Sequence, residues 1–396
     1  MTTIGNRSVQ LLVVGAGPVG LFAGLSAARA GLEVEVIDQS FRGFGRGYAT
    51  LLHPSSVRLL GEVGVLGPLQ KVGREIHGVG LRVGDGPRAH VRLAAPALCV
   101  PQSALEGALL AAVREAGVEV NAPCEATTIK QVGAKVELRI VRRELETPGS
   151  SSEDSDWQAV DSSIVVADYV LGADGYDSRV RTALGIDTVT LGGTETFAMF
   201  EAPTQVGSSS DIEIAFSDEV ATSIVPLANE RARFGFQLTS RLDAEPDAHR
   251  LQELLVERAP WFQDRPSRVD WGSVVHFERR LVRRFGNGRV WLAGDAAHVT
   301  NPFGAQSMNV GLSEANDFVR RVAACTRGDS AVESLSEYGA MSERVWHKLF
   351  GYNVKFDVLS HAPPWLASHA RSVSPTLPAS GADLRDALQQ LGLALT

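Results

Sequence analysis

Apolar and polar positions follow two regimes along this chain. Near the N-terminus, short, mostly apolar runs at 9–14 and 34–37 flank an Ala- and Leu-rich helical stretch at 19–30 that stops at Gly31. Strands covered on both faces favour such mostly apolar runs, so this opening predicts a parallel β-α-β unit. A helical pattern follows at 54–61. Another covers 105–116, with Leu105, Leu109 and Val113 on one face, and residues 118–120 look like another parallel strand. From residue 134 the pattern changes to period two. Residues 134–142 and 159–167 alternate like antiparallel strands around a Ser-, Glu- and Asp-rich tip at 144–158. Residues 211–216, 221–227 and 233–238 predict further strands of a mixed or antiparallel sheet. Helical patterns return at 317–322 and 335–350, and a Pro-rich stretch leads to a last helix at 382–393.

Glycines interrupt this pattern at three informative places. The first is Gly15-Ala-Gly-Pro-Val-Gly20, between a strand and a helix. Gly15 permits the tight turn, Gly17 and Pro18 leave the backbone open to a pyrophosphate, and Gly20 lets helix and strand pack closely. The helix N-terminus adds unpaired N–H groups, and Asp38 closes the second strand where an acid can bind a ribose diol. The unit predicts dinucleotide binding without separating NAD from FAD. The second place is Gly172-Ala-Asp-Gly175, with Asp174 in the turn and Ser178 placed to cap the helix after it. The third is the buried strand at 290–293, which breaks at Gly294 and delivers Asp295 to a loop, followed by Asn301-Pro-Phe-Gly-Ala-Gln-Ser-Met-Asn309. Asp295 alone reads equally well as a helix cap. Gly78-Val-Gly-Leu-Arg-Val-Gly84 has one residue too many between its glycines and is read as strands and a turn.

The 396 residues carry a formal net charge of -8, with 44% hydrophobic and 21% charged residues. This is the composition of a globular chain with a large core, and it lacks the basic face that nucleic acid requires. Cys99, Cys124 and Cys325 suggest neither a disulfide framework nor a metal knuckle, and point to a reducing, cytoplasmic setting. No run is long enough for a membrane span, and residues 1–10 do not read as a signal peptide.

Together, in this order and spacing, the three motifs resemble the FAD-dependent aromatic hydroxylases, the single-component flavoprotein monooxygenases. The resemblance implies an α/β fold with α+β elements. A discontinuous Rossmann-like FAD domain would take residues 1–75, 97–185 and 277–330, a β-sheet substrate domain 76–96 and 186–276, and a C-terminal helical region 331–396. It implies FAD on Gly15, Gly17, Pro18, Gly20 and Asp38, with Arg46 near the pyrophosphate and Gln102 beside the flavin. Asp174 would serve FAD and the nicotinamide cofactor, while Gly294 and Asp295 would reach the ribityl chain. Pro302, Gly304, Ala305, Gln306, Ser307, Met308 and Asn309 would lie against the flavin ring. Ala305, Ser307 and Glu314 depart from the commoner family residues, and the Ser307 Cβ takes space where backbone approaches the flavin.

The resemblance places Arg231 near the isoalloxazine, and puts Val225 and Leu227 where a relative holds a substrate carboxylate. A carboxylate buried without a cation is costly, so a simple benzoate is not expected there. Phe216, Phe234 and Phe236 read either as pocket wall or as ordinary core. His53 and His276 are weak candidates for proton transfer, and no residue stands out as catalytic. The implied activity is hydroxylation of an aromatic or polyketide-like molecule with NADPH or NADH and O2, through a flavin C4a-hydroperoxide. No Trp-x-Trp pair of the related halogenases is present. A flavin-dependent reductase, or a protein that binds flavin or ligand without turnover, stands as the alternative.

Overall fold

A computed structural model describes residues 7–39, 49–84, 86–145, 157–204, 211–217, 220–239, 246–351 and 355–395. The first part of the chain runs β1 (Arg7–Val14), α1 (Pro18–Arg29), β2 (Val34–Ile37), β3 (Ala49–Leu52), α2 (Pro54–Glu62), α3 (Leu66–Val72), β4 (Arg74–Val83), β5 (Ala89–Pro101), α4 (Gln102–Glu115) and β6 (Glu119–Asn121). Then come β7 (Cys124–Val132), β8 (Lys135–Leu145), β9 (Trp157–Gly172), α5 (Arg179–Ala183), β10 (Thr188–Thr190), β11 (Glu195–Pro203), β12 (Asp211–Ser217), β13 (Val220–Leu227), β14 (Arg231–Leu238), α6 (Ala248–Arg258) and β15 (Trp271–Phe277). The last part holds β16 (Arg280–Val282), β17 (Gly286–Asn287), β18 (Val290–Leu292), β19 (His298–Val299), α7 (Gln306–Arg327), α8 (Ser334–Leu349), β20 (Phe356–Val358), α9 (Leu366–Val373), α10 (Gly381–Gln390) and β21 (Leu393–Leu395).

The first sheet has the order β17-β18-β9-β1-β2-β6, with the β7–β8 hairpin joined to β9. Strands β18, β9, β1, β2 and β6 are parallel, as the mostly apolar runs at 9–14 and 34–37 predict for the first two of them in the chain. Helix α1 buries nine consecutive residues from Val19 to Ala27 and packs against α4 and α7. A row of backbone bonds ties the carboxyl ends of the parallel strands: Gly15 N–H to the Ile37 carbonyl, Ala173 N–H to Val14, and Ala293 N–H to Gly172. The three glycine turns therefore leave the sheet side by side.

The second sheet has the order β15-β11-β14-β13-β12-β4-β5-β3. It takes in residues 49–52, all of 74–83 and 89–101, more of the early chain than residues 76–96. Helix α6 lies on one face, where Leu251, Leu254 and Leu255 join Phe200, Ile224, Phe234 and Phe236 in a separate apolar cluster. The other face belongs to the main core and looks toward the loop at 301–305. Strands β10, β16 and β19 form a small third sheet. The C-terminal region carries the β20–β21 pair besides its helices.

Candidate active site

The three turns meet. A Cβ added at Gly15, whose φ is +113°, would run into the Ala173 carbonyl and the Asp174 backbone. One at Gly294 would crowd Val19 of α1, and one at Gly311 in α7 would come to 2.9 Å from the Gly294 Cα. Gly17 differs: a Cβ there would meet nothing within 4 Å. Helices α1 and α7 both begin without a side-chain cap. Their N–H groups and partial positive charge remain available for anionic or polar ligand atoms.

The acids of the three turns do different work. Asp38 accepts from the Ala16 N–H at 2.7 Å, which holds the first turn in shape. Asp174 accepts from Ser178 Oγ at 2.6 Å and from the N–H groups of Arg179 and Val180 at 2.7 and 3.1 Å, so it organises the start of α5. Burial pushes its carboxyl above the usual range, while those bonds oppose the shift. Asp295 is the one exposed residue between Val290 and Val299. Its carboxylate accepts from Ser307 Oγ, so Ser307 in the first turn of α7 bridges to the Asp295 turn.

Beneath Asp295 lies a buried polar network. Glu314, 5% exposed, accepts from the Gly294 N–H at 3.0 Å, His298 Nε2 at 2.8 Å and Trp346 Nε1 at 2.9 Å. The His298 ring stacks on Trp346 at 3.8 Å, and Tyr338 donates to the Leu292 carbonyl at 2.6 Å. Glu314 thus fixes the turn from which Asp295 projects.

The loop at 301–309 is held from three sides. His53, fully buried, donates from Nε2 to the Gly304 carbonyl, and burial pushes its pKa down to about 4. Asn309 accepts from the His53 N–H at 2.7 Å and donates to the carbonyls of Leu51 and Ala305. Gln306 donates to the carbonyls of Leu377 and Ala379 at 2.8 and 3.2 Å. The Gln306 and Asn309 side chains thus brace the loop, leaving it to offer backbone to a ligand. The Pro375 carbonyl packs on Gly304, φ +74°, where a Cβ has no room. Ala305 is left-handed at φ +51°, a conformation that favours glycine. Met308 receives the Thr50 hydroxyl at 3.7 Å, Pro302 is half-buried, and Gln102 bonds to Glu106 within α4. Arg46 lies outside the described residues.

Register sorts the substrate candidates. Alternate residues on a strand share a face, as do residues directly opposite in an antiparallel pair. A Cβ at Gly235 would touch Phe303, Ser223 and Met199, so that face looks onto the loop. Val225, Leu227 and Arg231 share it through the β13–β14 register, and Phe216 through its pairing with Ala221. Phe234 and Phe236 point the other way, into the cluster under α6. They are core and not wall of the loop-side space, because α6 supplies an apolar cover that local sequence does not reveal. His276 pairs with Thr196 on that far side as well, bonding its Oγ1 at 3.0 Å. Among the proton-transfer candidates, His53 is committed to Gly304 and His276 faces away. The loop-side face also carries a buried charge array unforeseen from sequence. Glu201, 2% exposed, pairs with Arg233 at 2.5 Å and Arg231 at 3.4 Å, and Arg231 pairs with Asp270 at 3.1 Å. A cavity of about 300 Å³ opens on the far face between Ile224, Pro226, Ala232 and Trp261.

Comparison with known proteins follows the same outline. The model of a family described as FAD binding domain matches residues 8–350. The chain is 27% identical over 343 residues to an uncharacterized aromatic compound monooxygenase, YhjG, of Bacillus subtilis (strain 168), covering 83% of this chain and 64% of the relative. It is 25% identical over 342 residues to 6-methylpretetramide 4-monooxygenase of Streptomyces rimosus, covering 84% and 58%. The chain thus spans less than two thirds of either relative. Among solved structures, p-nitrophenol 4-monooxygenase PnpA from Pseudomonas putida DLL-E4 superposes with a TM-score of 0.71 at 19% identity, covering 97% of both chains. At that identity the likeness establishes the shared fold.

Proposed function

The chain belongs to the FAD binding domain family, and from that premise we propose that it is a monooxygenase. It would insert one atom of O2 into an aromatic or polyketide-like small molecule, with NADH or NADPH as reductant. The observation that carries this reading is the tied row of strand ends, where three glycine turns leave the sheet side by side with the uncapped starts of α1 and α7 against them. FAD fits the residues present, because Gly17 borders open space and both helix starts have N–H groups to offer. In this reading Gly17 and Pro18 would border the pyrophosphate, Gly15 and Gly20 would shape the turn that receives it, and Asp38 would take the ribose. Asp295, aimed by Gly294 and Ser307, would hold the ribityl chain. Asp174 would act through the shape of its turn, and residues 302–309 would present backbone to the ring.

Bound FAD would supply redox and oxygen-activating chemistry that no side chain offers. The chain's own work is to orient the substrate and exclude water. Phe216, Val225 and Leu227 on the loop-side face would lie over an apolar ring. Glu201 already neutralises Arg233, so this face suits a neutral ring better than a free carboxylate. The solved neighbour is named for p-nitrophenol, and a phenol is the substrate type that fits such a face. The test is to purify the chain with FAD, follow NADH and NADPH consumption over a panel of phenols, and weigh products made under labelled O2. A gain of one labelled oxygen is the expected result. A protein that stays colourless with added FAD, or that consumes NAD(P)H without labelling any product, would refute the reading.

A further inference from the structure

Helix α9 and the turn after it reach from the second sheet to the loop at 301–305. In the short turn just after its end, the Pro375 carbonyl rests on Gly304. Near its middle, the His369 ring lies 6.0 Å from Phe216, on the loop-side face. Leu366, Ala370 and Val373 bury one side of α9 in the main core. His369, one position before Ala370 and three after Leu366, flanks that side, half-buried.

The bonding of His369 fixes its tautomer. Nδ1 lies 2.9 Å from the Trp365 carbonyl. A carbonyl only accepts, so Nδ1 carries the hydrogen and donates. Ser368 Oγ also donates to that carbonyl at 2.9 Å and stands 3.0 Å from Nδ1, able to share its hydrogen. The neutral ring therefore presents Nε2 as a lone pair, and among the described residues Nε2 has no partner. The groups that define the ring's place, Phe216 on β12 with Trp365 and Ser368 before and within α9, are uncharged. His369 makes no ion pair among the described residues. A base held in one tautomer by its other nitrogen, beside the wall of a proposed substrate space, has the arrangement of a proton acceptor.

We propose that His369 is the catalytic base that takes the hydroxyl proton of a phenolic substrate. In this step the phenol O–H bond breaks, its electron pair stays on oxygen, and the proton forms an Nε2–H bond. The phenolate is the more electron-rich ring for oxygen insertion. The imidazolium returns its proton to water after product leaves. This rests on the monooxygenase reading, and it replaces His53 and His276 with a residue of the C-terminal segment.

The test uses the FAD-loaded full chain and 4-nitrophenol, whose phenolate is yellow and whose phenol is nearly colourless. Wild type should raise the phenolate-to-phenol ratio of bound dye above that of free dye at the same pH. His369→Gln should lower the bound ratio about tenfold and reduce kcat for phenols by roughly 100-fold, with KM changed much less. His369→Ala should recover part of the loss with added imidazole. FAD content and thermal midpoint check that the variants fold. A wild type that does not raise the ratio, or a His369→Gln variant with an unchanged ratio and kcat, overturns the proposal. The dye ratio reads His369 even without turnover. A chain that never labels product refutes the monooxygenase reading, whereas unimpaired labelling by His369→Gln sinks only the role of His369.

Discussion

Glu314→Gln separates structure from chemistry at the Asp295 turn, and its cost follows from counting donors. In the native protein two carboxylate oxygens accept three N–H groups: Gly294 and His298 on Oε2, and Trp346 on Oε1. Glutamine has one acceptor oxygen and one NH2. The better orientation puts oxygen at the Oε2 position and aims the NH2 at the Trp346 N–H, two donors face to face. Leaving that buried indole donor unsatisfied costs about 1–3 kcal/mol, and turning the two remaining bonds from charge-assisted to neutral costs about 1 kcal/mol more. The opposite orientation strands two donors and is worse. The expected loss is therefore about 3 kcal/mol, read from urea unfolding followed by circular dichroism. Trp346→Phe removes the clashing N–H and can keep the ring on His298, so it should relieve the Gln variant. The double-mutant cycle should show a coupling of about 2 kcal/mol. FAD affinity should weaken in the single Gln variant, since Gly294 aims Asp295. A Gln variant within about 1 kcal/mol of wild type, or a cycle with no coupling, would refute this account of the network.

Three further outcomes are expected. Ala305→Gly relieves a left-handed alanine at φ +51° and should stabilise the fold by about 0.5–1 kcal/mol in the same urea assay, net of the added chain entropy. Gly17→Ala meets no protein atom, so its melting temperature without cofactor should match wild type or slightly exceed it, while FAD affinity measured by fluorescence titration should fall at least tenfold; equal affinity would remove Gly17 from the cofactor site. Burial holds the His53 pKa down to about 4, against an ordinary value of 6.5. Because its folded pKa is depressed, its contribution is complete above pH 6.5 and is lost as pH falls toward 4, up to about 3 kcal/mol in all. His53→Gln, which can still donate to Gly304, should flatten that part of the stability–pH curve relative to wild type.

The parts of this fold legible in the sequence are those whose physics is local. A strand that must turn sharply into a helix needs glycine at fixed offsets, so the turns at Gly15, Gly172 and Gly294 could be placed, as could α1 and α4 with their terminating glycines. What escaped is set by distant packing. Strand β11 reads Glu-Thr-Phe-Ala-Met-Phe-Glu-Ala-Pro, and both its faces are covered, so it lacks the alternation that marks a half-exposed strand. Helix α6 went unpredicted, and with it the reason Phe234 and Phe236 point away from the loop. His53 looked chemical because nothing in its neighbourhood reveals that Gly304, far along the chain, receives its N–H. His369 was missed because only the packing of α9 brings it to Phe216.

The bracing of the 301–309 loop also bears on the order in which the chain can be completed. Its supports lie far apart along the chain: His53 well before the loop, and the carbonyls of Pro375, Leu377 and Ala379 well after it. Chains emerge from the ribosome N-terminus first, at about 5–20 residues per second. The parallel sheet can therefore assemble while the loop still lacks its final clamp, since Gln306 has no carbonyls to bind until residue 379 is out. Nascent chains arrested before that point should expose the loop to protease, and those arrested well beyond it should protect it. The 301–309 loop would then set only after residue 379 has emerged.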